Sequence, residues 1–112
     1  MRVFLTPRAL VGVGEWERVG EAILFGCEEY LIGGVSFVVW SEDEGSRVLG
    51  AVYEIDAEGV EGIDRRMVDQ SREERTVLMG GVAEFAEVYV LRNRALLAGS
   101  WDVEKMSMSG PG

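Results

Sequence analysis

The stretch RVLGAVYEIDAEGVEGIDRRM, residues 47–67, decides the fold. Its first part, Arg47 to Ile55, is rich in β-branched and aromatic side chains and reads as a strand. Asp56 follows as a helix N-cap, a position that favours a short side chain able to accept from the first free amides. Val60, Ile63 and Met67 then recur at spacings of three and four, which lays one apolar face on a short helix, Ala57 to Arg66, despite Gly59 and Gly62.

Upstream, Val35 to Trp40 (VSFVVW) is a second strand by composition. The acidic segment Ser41 to Gly45 (SEDEG) is expected to join it to Arg47–Ile55 as a hairpin. Before that, Glu21 to Ile32 fits neither a clean strand nor a clean helix period: it is a strand bulged at Gly26 or an amphipathic helix, ended by Gly33-Gly34. Arg2 to Thr6 is an opening strand stopped by Pro7, which has no N–H for a ladder. Downstream, Thr76–Met79 and Val82–Leu91 flank Gly80-Gly81, a hairpin signal. RALLAG after Asn93 suggests a helical turn. Residues 104–112 carry no apolar pattern and are expected to be a disordered tail to a domain spanning 1–103.

One helix among strands joined by both hairpins and crossovers predicts an α+β domain, a small mixed six-stranded β-barrel with one short helix. Strand alternation sends Val3, Phe4, Leu5, Val35, Phe37, Val39, Val52 and Val88 toward its core.

The 112 residues and 47 % apolar composition suit a single core. Lys and Arg number 11 against 20 Asp and Glu, a net charge of -9, which opposes binding to nucleic acid or an anionic membrane through phosphates. Arg65, Arg66, Arg72 and Arg75 alternate with Asp64, Asp69, Glu73 and Glu74 and read as a solvated face. A lone cysteine, Cys27, excludes an intrachain disulfide, and the cytoplasm is the expected compartment. Beside Glu28 and Glu29 its thiol is expected to be an inert, buried hydrophobe. The opening apolar run is too short for a signal peptide, and no stretch reaches the length of a membrane span.

Histidine is absent, which removes the commonest general base and metal ligand. Glu42, Asp43 and Glu44 lack calcium-loop spacing, so no metal is expected; no phosphate or dinucleotide fingerprint occurs, so no cofactor is either.

Several short motifs together resemble the gamma-glutamylcyclotransferase-like superfamily, which includes the avirulence-induced-gene-like proteins. They are Gly50-Ala51-Val52-Tyr53-Glu54-Ile55, then Ile63-Asp64, then Arg75, then Glu87-Val88-Tyr89-Val90, and Gly99-Ser100-Trp101, similar to the closing G-D-W of that family. Val3-Phe4-Leu5 resembles the strand leading into the family's Tyr-Gly loop. The resemblance implies a cyclisation of gamma-glutamyl amines to 5-oxoproline, in which a Glu moves protons between amines. Three residues past Asp64, where that Glu would stand, this chain has Met67, which cannot exchange protons. Val68 replaces the next Gly, and Glu73 replaces an aromatic.

The loop whose backbone amides would hold the substrate carboxylate reads Thr6-Pro7-Arg8, and Pro7 brings no N–H. The sequence therefore reads as a divergent member with a degenerate active site and no confident catalytic residue. It would bind a small molecule in a barrel-edge pocket near Thr6, Pro7 and Arg8, or another protein. The alternative is an active cyclotransferase with a relocated carboxylate, Asp69 or Asp64. Homo-oligomerisation stays open, with Trp16, Trp40 and Trp101 as anchors if exposed.

Overall fold

The computed structural model describes residues 1–9, 16–92, 103–105 and 108–109. Its strands are β1 (Arg2–Leu5), β2 (Glu17–Phe25), β3 (Cys27–Ile32), β4 (Val35–Trp40) and β5 (Ser46–Glu54); after helix α1 (Ala57–Arg66) come β6 (Gln70–Met79), β7 (Val82–Leu91), β8 (Val103–Lys105) and β9 (Met108–Ser109).

Strands β1, β7, β6, β2 and β5 follow one another around a sheet that closes when β1 also pairs with β5. Only the β1–β7 contact is parallel; the other pairings are antiparallel. The barrel is thus mixed, as expected, but has five strands rather than six, because β3 and β4 leave it to form a second sheet in the order β4-β3-β8. The expected β4–β5 hairpin is not formed. Instead β4 turns back on β3 through Gly33-Gly34, while β5 pairs with β2. The ambiguous Glu21–Ile32 segment is strand throughout, broken at Gly26, whose φ of 78° lets the chain pass from the barrel to the second sheet. Arg72 to Arg75, the downstream part of the mixed-charge run read as a solvated face, lie in the first half of β6, where Arg72 and Glu74 are exposed but Glu73 and Arg75 are half-buried. β8, which runs from Val103 into the segment 104–112 read as a disordered tail, pairs with β3, and β9 within that segment pairs with β5.

Two apolar clusters hold this together. Phe4, Leu24, Val48, Val52, Val77 and Val88 fill the barrel, with Cys27 and Val38 reaching in from the second sheet. Burial of Cys27, only partly offset by nearby Arg75, pushes its thiol up to about 11, so it is the inert hydrophobe expected. The second cluster joins α1 to the outside of the barrel: Val60, Ile63 and Met67 pack on Val3, Leu5, Ala51, Tyr53 and Tyr89. Of the residues expected in the core, Val3, Phe4, Leu5, Val39, Val52 and Val88 are buried, whereas Val35 and Phe37 are half-buried, since β4 turns Ser36 and Val38 inward.

Helix α1 has the expected bounds. Asp56 Oδ1 accepts from Gly59 N–H at 2.7 Å, Glu58 occupies the first turn, and Arg65 and Arg66 close the last, matching the helix dipole. Gly59, in the first turn, leaves the space that Ile55 occupies, since a Cβ there would lie 2.6 Å from Ile55 Cγ2. No described helix is long and apolar enough to cross a membrane.

Candidate functional site at the barrel mouth

Where β1 ends, the chain makes a turn in which Ala9 N–H donates to Thr6 O at 3.2 Å, and Arg8 O then accepts from Ser36 N–H at 2.8 Å. Ala9 and Ser36 form a parallel bridge. The loop is therefore tied to β4, and of its amides Pro7 has none and Ala9 uses its own internally. Thr6 is buried; Pro7 and Arg8 are exposed.

Beneath this loop lies a cavity of only about 20 Å³, lined by Leu5, Thr6, Ser36, Met67, Gln70 and Tyr89, among others. No Asp or Glu is among its described lining residues. Met67 caps α1, its N–H donating to Ile63 O at 3.0 Å, and its side chain is 3 % exposed. Buried Gln70 sets Nε2 2.9 Å from the Met67 sulfur, so an amide and a thioether face each other at the helix end. Neither is an acid or base.

The carboxylates near this mouth look elsewhere. Exposed Asp64 accepts from Tyr89 O–H at 2.6 Å and pairs with Arg72 Nε at 3.2 Å. Burial and that hydrogen bond raise the Tyr89 phenol above its usual range, so Tyr89 is a neutral donor between Asp64 and the cavity. Asp69 is exposed and contributes its carbonyl to Arg92 N–H. The residue that sequence analysis did not offer as a candidate is Glu73. It lies on the face of β6 that carries Arg75 and Val77 into the barrel, opposite Val88, and its Oε2 is buried with no hydrogen-bond partner. Its signal was available: the resemblance places an aromatic at this position, and the alternation of β6 turns it inward.

A much larger recess, about 610 Å³, opens on the outer wall of the barrel. Leu5, Pro7, Ile23, Leu49, Tyr53 and Leu78 give it apolar sides, with Arg18 and Glu21 beside them. The Thr6-Pro7-Arg8 loop thus splits: Thr6 faces the small cavity, Pro7 the large groove, and Arg8 lines neither.

A closed mixed barrel with one helix packed outside it and a mouth bounded by the β1 loop, the helix end and β7 defines the gamma-glutamylcyclotransferase-like fold. Two solved structures of that fold are similar to this chain. YkqA from Bacillus subtilis superposes with a TM-score of 0.66 at 14% identity, over 81% of this chain and 35% of YkqA. The uncharacterised protein PH0828 from Pyrococcus horikoshii gives 0.64 at 18% identity, over 84% of this chain and 80% of its own. The chain thus spans about a third of YkqA's length. No family model and no curated protein matches the sequence.

Proposed function

We propose that this chain is a divergent gamma-glutamylcyclotransferase-like protein that has given up catalysis at the barrel mouth and binds a small, mostly apolar molecule in the outer groove. One observation carries the first half: buried Met67 takes the place the resemblance gives to the acid–base Glu, in a cavity of about 20 Å³ with no carboxylate among its described lining residues. A cavity that size holds about one water molecule at most. A gamma-glutamyl amine would need it rebuilt. The groove supports the second half, since its 610 Å³ lies within the range of small-molecule sites, about 300–1,000 Å³, and its walls are apolar with a few polar groups at one side. Pro7 would contact the ligand directly; Thr6 and Arg8, expected with it from sequence, would act only by fixing the loop. We place the protein in the cytoplasm, where a buried, unpaired Cys27 is at ease.

The test is release of 5-oxoproline from gamma-glutamyl amino acids, gamma-glutamyl amines and glutathione. No release above background is expected, and turnover of about 1 per second or more would overturn the proposal. The unpartnered Oε2 of Glu73 favours one second reading, an enzyme whose carboxylate has moved from the helix end to β6. Under that reading turnover is seen and Glu73→Gln abolishes it, whereas Asp64→Asn and Asp69→Asn do not.

A further inference from the structure

Side chains along a strand alternate between faces. Ala22 and Leu24 on β2 and Val48 and Val52 on β5 fill the barrel, so Glu21, Ile23, Leu49, Ala51 and Tyr53 point outward, where they line the groove. The β2–β5 register shifts between Arg18 and Gly20, and the shift sets Arg18 directly opposite Tyr53. Gly20 lies opposite Val52, so without the extra residue Val19 would stand opposite Tyr53 and Arg18 would face the other way. A bulge of this kind re-aims a side chain, and directly paired residues share a face with Cβ atoms about 5 Å apart. The groove is therefore graded along its length. Arg18 and Tyr53 stand at one end, while at the other the register gathers Ile23, Leu49 and Leu78.

The polar end holds two donors with little to donate to. Tyr53 is 7% exposed, with its ring packed in the cluster beneath α1, yet its hydroxyl has no hydrogen-bond partner among the described residues. Among those residues Glu73 Oε2 is the one sealed-in side-chain oxygen without a partner, so the Tyr53 hydroxyl reaches solvent, and the groove is the recess that Tyr53 lines. A phenol this deeply buried ordinarily has a partner for its O–H. Arg18, half exposed, is the one cation among the described lining residues. Its pairing with Glu21 is long, 3.8 Å, and reaches a side chain 89% exposed, so it holds the guanidinium only weakly.

A guanidinium fork and a phenol O–H at one spot suit an acceptor that carries negative charge, and a carboxylate offers each of them a charge-assisted bond. A single cation on a protein of net charge -9 suits a monoanion rather than a phosphate ester. We infer that the groove takes an apolar monocarboxylate, whose carboxylate accepts from Arg18 and the Tyr53 phenol and whose body runs along β2 and β5 to Leu49 and Leu78. The four-residue rise from Tyr53 to Leu49 gives that body a length of about 13 Å. This rests on the reading of the groove as a small-molecule site and adds which chemistry it selects.

Titration of the full chain with octanoate, octylamine and 1-octanol, followed at the Ala51 methyl, tests it. Octanoate should bind with a dissociation constant on the order of 0.1–1 mM, at least tenfold more tightly than the amine or the alcohol. Tyr53→Phe and, separately, Arg18→Gln should each weaken octanoate at least fivefold and leave 1-octanol within about twofold, which a merely structural role would not do. Glu21→Gln removes the competing carboxylate and should tighten octanoate by about twofold. Far-UV circular dichroism checks that each variant is folded; should Tyr53→Phe unfold, Arg18→Gln and Glu21→Gln, both at exposed side chains, carry the test. Octylamine or 1-octanol binding as tightly as octanoate, or octanoate indifferent to the variants, would overturn the inference and leave the groove an unselective apolar site. No Ala51 shift with any of the three would overturn the reading of the groove and the inference with it.

Discussion

The two recesses that adjoin the β1 loop have opposite character. At the mouth, the helix end, the loop and β7 converge on a space of about 20 Å³, and the side chain that fills it, Met67, is a flexible thioether. On the outer wall, β2 and β5 run past the end of β1 and leave a groove of about 610 Å³ that no described side chain fills. The wall between them is thin. Gly50 shows how thin, since a Cβ there would sit 2.6 Å from Leu5 O and 2.7 Å from the Phe4 ring. The contrast teaches that one short loop can border both a nearly filled space and an open one.

The largest expected effect is at the mouth. Met67→Ala removes a buried side chain from the cluster that fastens α1 to the barrel and should cost about 3 kcal/mol in urea unfolding. A loss under about 1 kcal/mol would mean that the mouth collapses freely and that Met67 is not the plug described. Gly50→Ala should follow, at about 2 kcal/mol, because its new methyl meets the Leu5 backbone, which cannot swing aside as a side chain can.

A third, smaller effect separates both recesses from the second sheet. Burial of Glu28 favours its neutral form, but hydrogen bonds from Lys105, Tyr30 and Ser41 outweigh this and hold its carboxyl at about 2, against an ordinary 4.5. A depressed folded value stabilises the protein above the unfolded value, and the contribution is lost as pH falls through the folded one. Thermal stability should therefore drop between pH 4.5 and about 2, and Lys105→Met should flatten that part of the curve. Amide exchange should rise first along β3 and β8, not at the mouth, where no carboxylate is among the described lining residues. Smallest of all, Leu49→Ala in the groove should change stability by no more than about 0.5 kcal/mol, because Leu49 is already exposed.

Much of this fold was legible in local chemistry. Asp56, followed by Val60, Ile63 and Met67, gave the helix with its bounds, and Gly80-Gly81 gave the β6–β7 turn. What failed was non-local. Ser41–Gly45 looks like a hairpin turn and does turn the chain, with Ser46 N–H on Asp43 O at 3.0 Å, yet the strand after it pairs with β2 and not with β4. Nothing in either strand's composition says which partner it will take, because that choice is made by barrel closure. The first half of β6 was hidden because Glu73 and Arg75 face inward where an apolar pattern was sought, Arg75 stacking 3.5 Å over Trp40. Trp40 is partly exposed, as an interface anchor requires; Trp16 packs against the helix cluster; Trp101 and the expected turn after Asn93 lie outside the described residues. Met67 was identifiable as a departure from the resemblance. The groove was not, since its walls come from β1, β2, β5 and β6, which only the closed barrel brings together.

The contrast between the recesses can be measured in one titration. In a methyl-labelled sample, Ala51 reports on the groove and Met67 on the mouth. Adding a panel of small apolar carboxylates and amines should shift the Ala51 methyl saturably while the Met67 methyl stays fixed. Adding 5-oxoproline should move neither. Saturable shifts at Met67 with Ala51 unmoved would contradict the account and return the binding site to the barrel mouth.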